Sequence, residues 1–188
     1  IYYLSFCKSY FSLPDSQNLR HASDFMLIHG FYNIDGEEQD VFCGFKKGQK
    51  KKFKRNKEEY KKLSDHIGLI PVVMSTPSDN NIISGGKEER RKFMDSVISQ
   101  WDKKYLDALI KYNKSIEYKT LITQEMLKKG YLAGTSIYSC IAHTDQIINS
   151  YFEELEPIFL TIAECEDGKD ITKLLDGPEC HSGFKRLN

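Results

Sequence analysis

The sequence predicts a mixed α/β protein. Three observations carry this. Residues 25–56 alternate apolar and polar side chains between turn signals. Residues 69–75 form an apolar run that ends in a helix-start motif. From Lys87 onward, apolar residues recur at three and four positions.

Residues 13–23 are polar and turn-rich, which predicts a loop. A β-type run at 25–32 is followed by the turn dipeptide Asp35-Gly36. Val41, Cys43 and Phe45 then alternate with polar neighbours, Gly48-Gln49 turns the chain again, and 50–56 returns as a third strand. The expected result is an antiparallel meander with one wet face. Residues 58–66 read as a short helix stopped by Gly68, and 69–75 as a buried core strand with Pro71 near its start. Thr76-Pro77-Ser78-Asp79 suits a helix start: Thr76 caps, Pro77 fits the first turn, and Asp79 returns a hydrogen bond. Gly85-Gly86 ends that helix.

The next helix is expected over 87–114. Its stripe is Met94, Val97, Ile98, Trp101, Tyr105, Leu109 and Tyr112, and Glu88 and Glu89 suit the positive end of its dipole. Beyond it come a short helix at 123–129 ended by Gly130, a β-like stretch at 131–141, and a helix at 144–166. Pro157 should kink or break that last helix. A polar tail follows Gly168.

The 188 residues contain 27 Lys/Arg and 27 Asp/Glu, but the balance is uneven. Residues 1–114 hold 20 basic and 15 acidic side chains, and residues 115–188 hold 7 and 12. The basic half is the one suited to a polyanion. No apolar run approaches the roughly 20 residues that span a bilayer, and no signal segment opens the chain, so a cytoplasmic location is expected. Five cysteines at irregular spacing, with no C-x-x-C pair, form neither a disulfide framework nor a zinc ribbon. Cys180-His181 with Cys165 supplies too few ligands for a metal site.

The most concentrated feature is a lysine cluster, with Lys46, Lys47, Lys50, Lys51, Lys52, Lys54, Arg55 and Lys57 interleaved by Phe45 and Phe53. On a strand pair these cations can track phosphates. The same pattern also fits a solvated hairpin edge, where lysines block strand-to-strand aggregation. Arg90-Arg91, close after Gly85-Gly86, can reach phosphate bidentately or pair with Glu88, Asp95 and other acids. Ser139, Cys140 and His143-Thr144-Asp145 invite a nucleophile–base reading, but Thr144 or Asp145 serves equally as a helix cap. No Gly-x-x-x-x-Gly-Lys-Ser/Thr loop occurs, nor an apolar run ending in Asp-Glu, so nothing in the chain holds β/γ-phosphates and Mg²⁺ for hydrolysis.

Several stretches together resemble the RecF family of recombination ATPases. They are residues 1–5 (Ile-Tyr-Tyr-Leu-Ser), 53–56 (Phe-Lys-Arg-Asn), 63–68 (Leu-Ser-Asp-His-Ile-Gly), 70–79, 82–95 and 105–113 (Tyr-Leu-Asp-Ala-Leu-Ile-Lys-Tyr-Asn). The resemblance implies part of an ABC/SMC-like ATPase lobe. In that family a phosphate-binding loop lies just upstream of the Tyr-Tyr-Leu-Ser stretch. The implied activity is ATP- and Mg-dependent binding of single-stranded or gapped duplex DNA in replication, recombinational repair and the SOS response. Recombination-mediator partners and a dimer in the ATP state are implied with it. DNA contacts would fall to Lys50, Lys51, Lys52, Lys54, Arg55, Arg90 and Arg91. Pro77 and Asp79 would couple to nucleotide state without hydrolysing it.

This resemblance is expected to cover residues 1–114. Residues 118–188 resemble instead the end of a class III aminotransferase of the glutamate-1-semialdehyde aminomutase type, through 123–134, 142–145 and 184–188. The pyridoxal phosphate groups of such an enzyme are absent. The expected organisation is therefore a RecF-like domain at 1–114 joined to a small α+β segment at 115–188. An aminotransferase remnant and a non-functional fusion stand as alternative readings.

Overall fold

The computed structural model describes residues 1–11, 14–134 and 136–180, apart from the side chains of Ser78 and Asn81. The chain forms two compact units, Ile1–Asp107 and Ala108–Asn188.

The first unit opens with a one-and-a-half-turn helix, α1 (Tyr2–Phe6). It then builds a four-stranded antiparallel sheet in the order β1-β2-β3-β4 from Phe25–Ile34, Glu37–Lys46, Lys52–Arg55 and Glu58–Glu59. The meander expected from the alternation is present. Two of its turns are two-residue loops with both residues at positive φ: Asp35 and Gly36 between β1 and β2, and Asn56 and Lys57 between β3 and β4. That backbone twist matches the twist of the flanking strands. The second loop explains why 58–66 does not form the expected helix. Glu58 pairs with Arg55 and Glu59 with Lys54, and only a single 3₁₀ turn follows at Leu63–Asp65.

The inner sheet face and α1 enclose a core of Leu4, Cys7, Val41, Cys43, Phe53 and Ile70. The run at 69–75 bends at Leu69 and Ile70, joins no sheet and leaves Val73 64% exposed, which corrects the expected buried core strand. Its hydrogen bonding is taken up by a side chain instead. Gln100 accepts from the Val72 N–H at 2.7 Å and donates to the Val72 carbonyl at 3.1 Å. One amide thus does what a neighbouring strand would do. Gly68, at φ 93°, allows the close approach; a Cβ there would stand 2.3 Å from the Gln100 carbonyl oxygen.

After a 3₁₀ turn at Pro77–Asp79 come α2 (Asn80–Ser84), α3 (Lys87–Trp101) and α4 (Lys103–Lys128). The single helix expected over 87–114 is two helices. Asp102 is extended (φ −117°, ψ 105°) and its carboxylate accepts from the N–H groups of Lys104 and Tyr105, capping α4. Trp101, assigned to the apolar stripe, is 79% exposed.

The second unit begins within α4, which runs through the separate short helix expected at 123–129. Gly130, at φ 86°, ends it as expected. No strand forms at 131–141 among the described residues. Thr144 caps α5 (Asp145–Glu166), which continues through the exposed Pro157 without the break the proline suggested. The core here is Leu121, Met126, Leu155, Ile158, Cys165 and Ile171.

Candidate nucleic-acid interface

Strand alternation divides the lysine cluster. Lys52 stands opposite Gly44 and Lys54 opposite Phe42, so both lie on the outer sheet face. Lys46, across from Phe25, shares that face. Phe53 and Arg55 fall on the other side. Phe53 is fully buried, and the Arg55 Nε donates to Gln39 Oε1 at 2.8 Å. Phe45, opposite Met26, also belongs to the inner register. Of the two phenylalanines that punctuate the cluster in sequence, Phe53 serves the core and Phe45 is half-buried on the same side. Lys47 and Lys50 lie exposed in the β2–β3 connection, and Lys57 in the β3–β4 turn.

Lys51 is placed differently from its neighbours. Its side chain is 12% exposed. The ammonium donates to Asp15 Oδ2 at 2.6 Å, to the Tyr3 hydroxyl at 3.3 Å and to the Cys7 carbonyl. Tyr3 in turn donates to Asp15 Oδ1 at 2.6 Å. Lys51 is thus an internal cation that ties the end of α1 to the 3₁₀ turn Asp15–Asn18. Burial pushes the Cys7 thiol up to about 12 and the Cys43 thiol up to about 11, with Lys51 partly offsetting both. Neither thiol is a ready nucleophile.

Two further links hold α1. Ser5 Oγ donates to the Ile70 carbonyl at 2.5 Å, and His66 Nε2 donates to the Leu4 carbonyl at 2.5 Å. The His66 ring packs against Phe53 and Tyr60 and is fully buried. Burial holds its pKa below the usual histidine value. The sequence marked Ser5 and His66 only as members of the RecF-like stretches and Lys51 only as one of the lysine cluster; their hydrogen-bond partners lie 36 to 65 residues away.

Pro77 occupies the first position of its 3₁₀ turn. Asp79 accepts from the Thr76 N–H at 2.5 Å and from the Tyr10 hydroxyl at 2.7 Å, and the Tyr10 hydrogen bond is the main cause of its lowered pKa. Arg90 donates to the Gly85 carbonyl at 3.0 Å, and both Arg90 and Arg91 are exposed on the first turns of α3. In the second unit Thr144 is spent on the cap of α5, and the His143 Nδ1 accepts from the Cys140 N–H. Cys180 is half-buried, while His181 and residues 184–188 lie outside the described residues. Among the described residues no three metal-binding side chains cluster, and no helix is long and apolar enough to cross a membrane.

No family model matches the chain. Curated relatives do. The DNA replication and repair protein RecF of Bacteroides fragilis is 57% identical over 127 residues, 66% of this chain and 34% of the relative. The RecF protein of Bacteroides thetaiotaomicron is 45% identical over 168 residues, 85% of this chain and 44% of the relative. The chain belongs to the RecF family. It spans about a third to just under half of the length of these curated relatives.

Among solved structures, the recombination mediator protein RecF-ATPrS in the RecFOR pathway covers 88% of this chain at a TM-score of 0.63 and 22% identity, with 42% of that chain matched. The corresponding RecF-ATP structure matches at 0.55 and 24%. The fold matches part of these RecF structures. Residues 1–114 are less than two thirds of the chain, so matches covering 85% and 88% of it run on past Ser115. Nothing in the comparisons supports the aminotransferase resemblance.

Proposed function

We propose that this chain supplies the DNA-facing sheet of a RecF-type replication and repair protein. The supporting observation is the division of the lysine cluster. Lys46, Lys52 and Lys54 share one open sheet face, with Lys47, Lys50 and Lys57 in the adjoining turns. Such an array tracks a phosphate backbone without reading bases. Lys51 and Arg55 stand apart from it, since each is already engaged on the inner side. Arg90 and Arg91 offer secondary contacts from a separate helix.

ATP and Mg²⁺ enter this reading only through the family. The chain's own residues do not fit them, because it contains no phosphate-binding loop. The part that Pro77 and Asp79 would play is mechanical. Tyr10, four residues beyond α1, holds Asp79, and Ser5 holds Ile70 at the start of the run leading to it. A shift of α1 would therefore be felt at the 77–79 turn. Recombination-mediator partners, dimerisation, the SOS response and a cytoplasmic location belong to the same reading.

Mobility-shift titration at several salt concentrations tests it. The chain should bind duplex and single-stranded DNA with salt-sensitive affinity. Replacing Lys50, Lys52 and Lys54 by Glu should weaken binding to every sequence alike. The salt slope should flatten by about 0.9 for each duplex phosphate no longer neutralised. Salt-independent binding, or unchanged affinity in the triple variant, would overturn it.

A further inference from the structure

An antiparallel sheet with one solvated face normally keeps that face polar. Here β1 is apolar on both faces. Its inner residues Met26, Ile28 and Tyr32 are half-buried, while Phe25, Leu27 and Phe31 on the outer face are 61%, 58% and 75% exposed. The register extends this outer surface across the sheet: Phe42 lies opposite His29, Gly44 opposite Leu27, then Lys54 beyond Phe42 and Lys52 beyond Gly44.

The rings form a row. His29 is 4.5 Å from Phe31 and 5.9 Å from Phe42 between centroids. Phe42 leans over Gly44, where a Cβ would stand 3.3 Å from its ring. His29, Asp40, Phe42, Lys54 and Lys57 together line a shallow depression. Three acids oppose the lysines on this face: Glu38, opposite Asn33 at the far end of β2; Asp40, held by His29 at 2.5 Å; and Glu59, opposite Lys54.

We propose that this outer face is a stacking platform for single-stranded nucleic acid. Bases lie on Phe31, His29 and Phe42, and phosphates run along Lys46, Lys52 and Lys54. The inference rests on the DNA-binding reading above and adds to it the face, the rings and the form of the strand. Exposed rings bordered by lysines suit a polyanion that carries flat apolar groups. Only an unpaired strand presents base faces to such rings, since a duplex keeps its bases stacked on one another. A protein partner would gain from the rings, but it would leave the lysine border without a matching charge.

Fluorescence anisotropy with a labelled oligothymidine and with a blunt duplex tests this on the full chain. Phe31→Ala and Phe42→Ala should each weaken oligothymidine binding about tenfold and leave the salt slope and duplex affinity unchanged. Lys52→Glu with Lys54→Glu should weaken both ligands. An oligonucleotide carrying 4-thiothymidine should photocrosslink within residues 25–46.

If the phenylalanine variants bind oligothymidine like the parent while the lysine variants do not, stacking is wrong and the electrostatic reading stands. If neither set changes binding, both fail. Equal weakening of duplex and single strand by the ring variants, or crosslinks only outside the sheet, would overturn the platform. So would a concentration-dependent dimer that Phe31→Ala abolishes without altering oligothymidine affinity. Phe31 is exposed, so circular dichroism of its alanine variant should match the parent.

Discussion

The two units are cored in different ways. In Ile1–Asp107, polar side chains enter the packed interior: Ser5 reaches the Ile70 carbonyl, His66 the Leu4 carbonyl, and Lys51 the end of α1. In Ala108–Asn188 the interior is apolar and the polar contacts lie at its margin, as in Lys114–Glu166, Lys128–Asp176 and Lys129–Glu154. Apolar burial is non-directional and only holds elements together. Hydrogen bonds fix where an element sits. The first unit spends directional contacts on α1 and the 70–79 run. The second places its directional contacts beside the apolar core: Thr123 donates to the Ala133 carbonyl at 3.2 Å, and Gln124 donates to the Leu174 carbonyl at 2.9 Å and accepts from the Asp176 N–H at 2.8 Å.

The largest effects should come from the cores. Phe53→Ala should cost about 3–5 kcal/mol and Met126→Ala about 2–5 kcal/mol, each by leaving a cavity. Hydrogen exchange distinguishes the units. Met126→Ala should release amides of α4 beyond Ala108 and of α5 before those of β1–β3. If the strands lose protection equally, the cores are not separate and the comparison fails.

Next in size is the contrast between sequence neighbours Lys51 and Lys52. Lys51→Met leaves Asp15, Tyr3 and the Cys7 carbonyl without their cation, and should cost about 1–3 kcal/mol in urea denaturation. Lys52→Met, on the open face, should stay within about 0.5 kcal/mol. Equal costs would mean that Lys51 is merely another surface lysine.

This contrast also marks the limit of what the sequence discloses. The meander was legible because period-two alternation and Asp35-Gly36 are local signals. The helix start at Pro77 and the stop at Gly130 were legible for the same reason. Where the outcome depended on a distant partner, the sequence misled. Residues 69–75 have the composition of a core strand, yet their distant partners are two side chains, Ser5 at Ile70 and Gln100 at Val72. The pattern at 87–114 hides a break set by Asp102, because a carboxylate in a Trp-Asp-Lys-Lys run looks like any exposed helical acid. In the lysine cluster, composition gave the charge, but only the register separates Lys52 and Lys54 from Lys51 and Arg55. The phenylalanines that matter for the open face are Phe31 and Phe42, well separated from the cluster or hidden in a half-buried strand, and not the interleaved Phe45 and Phe53.

The smallest effect is a pH dependence confined to the first unit. His66 is buried with its Nδ1 unpartnered among the described residues. Burial lowers its pKa below 6.5, the charges of Arg55 and Lys103 push the same way, and the Leu4 carbonyl opposes them. With the folded value below the unfolded one, the unfolded chain binds the extra proton first as pH falls through 6.5. Stability contributed by the neutral ring is therefore full above that pH and declines below it, levelling off under the folded pKa. His66→Gln keeps a donor for Leu4 but cannot titrate. Urea midpoints of parent and variant, measured from about pH 5 to pH 8, should diverge at the alkaline end and approach one another as pH falls. Parallel curves would show that His66 is no more protected from protonation when folded than when unfolded.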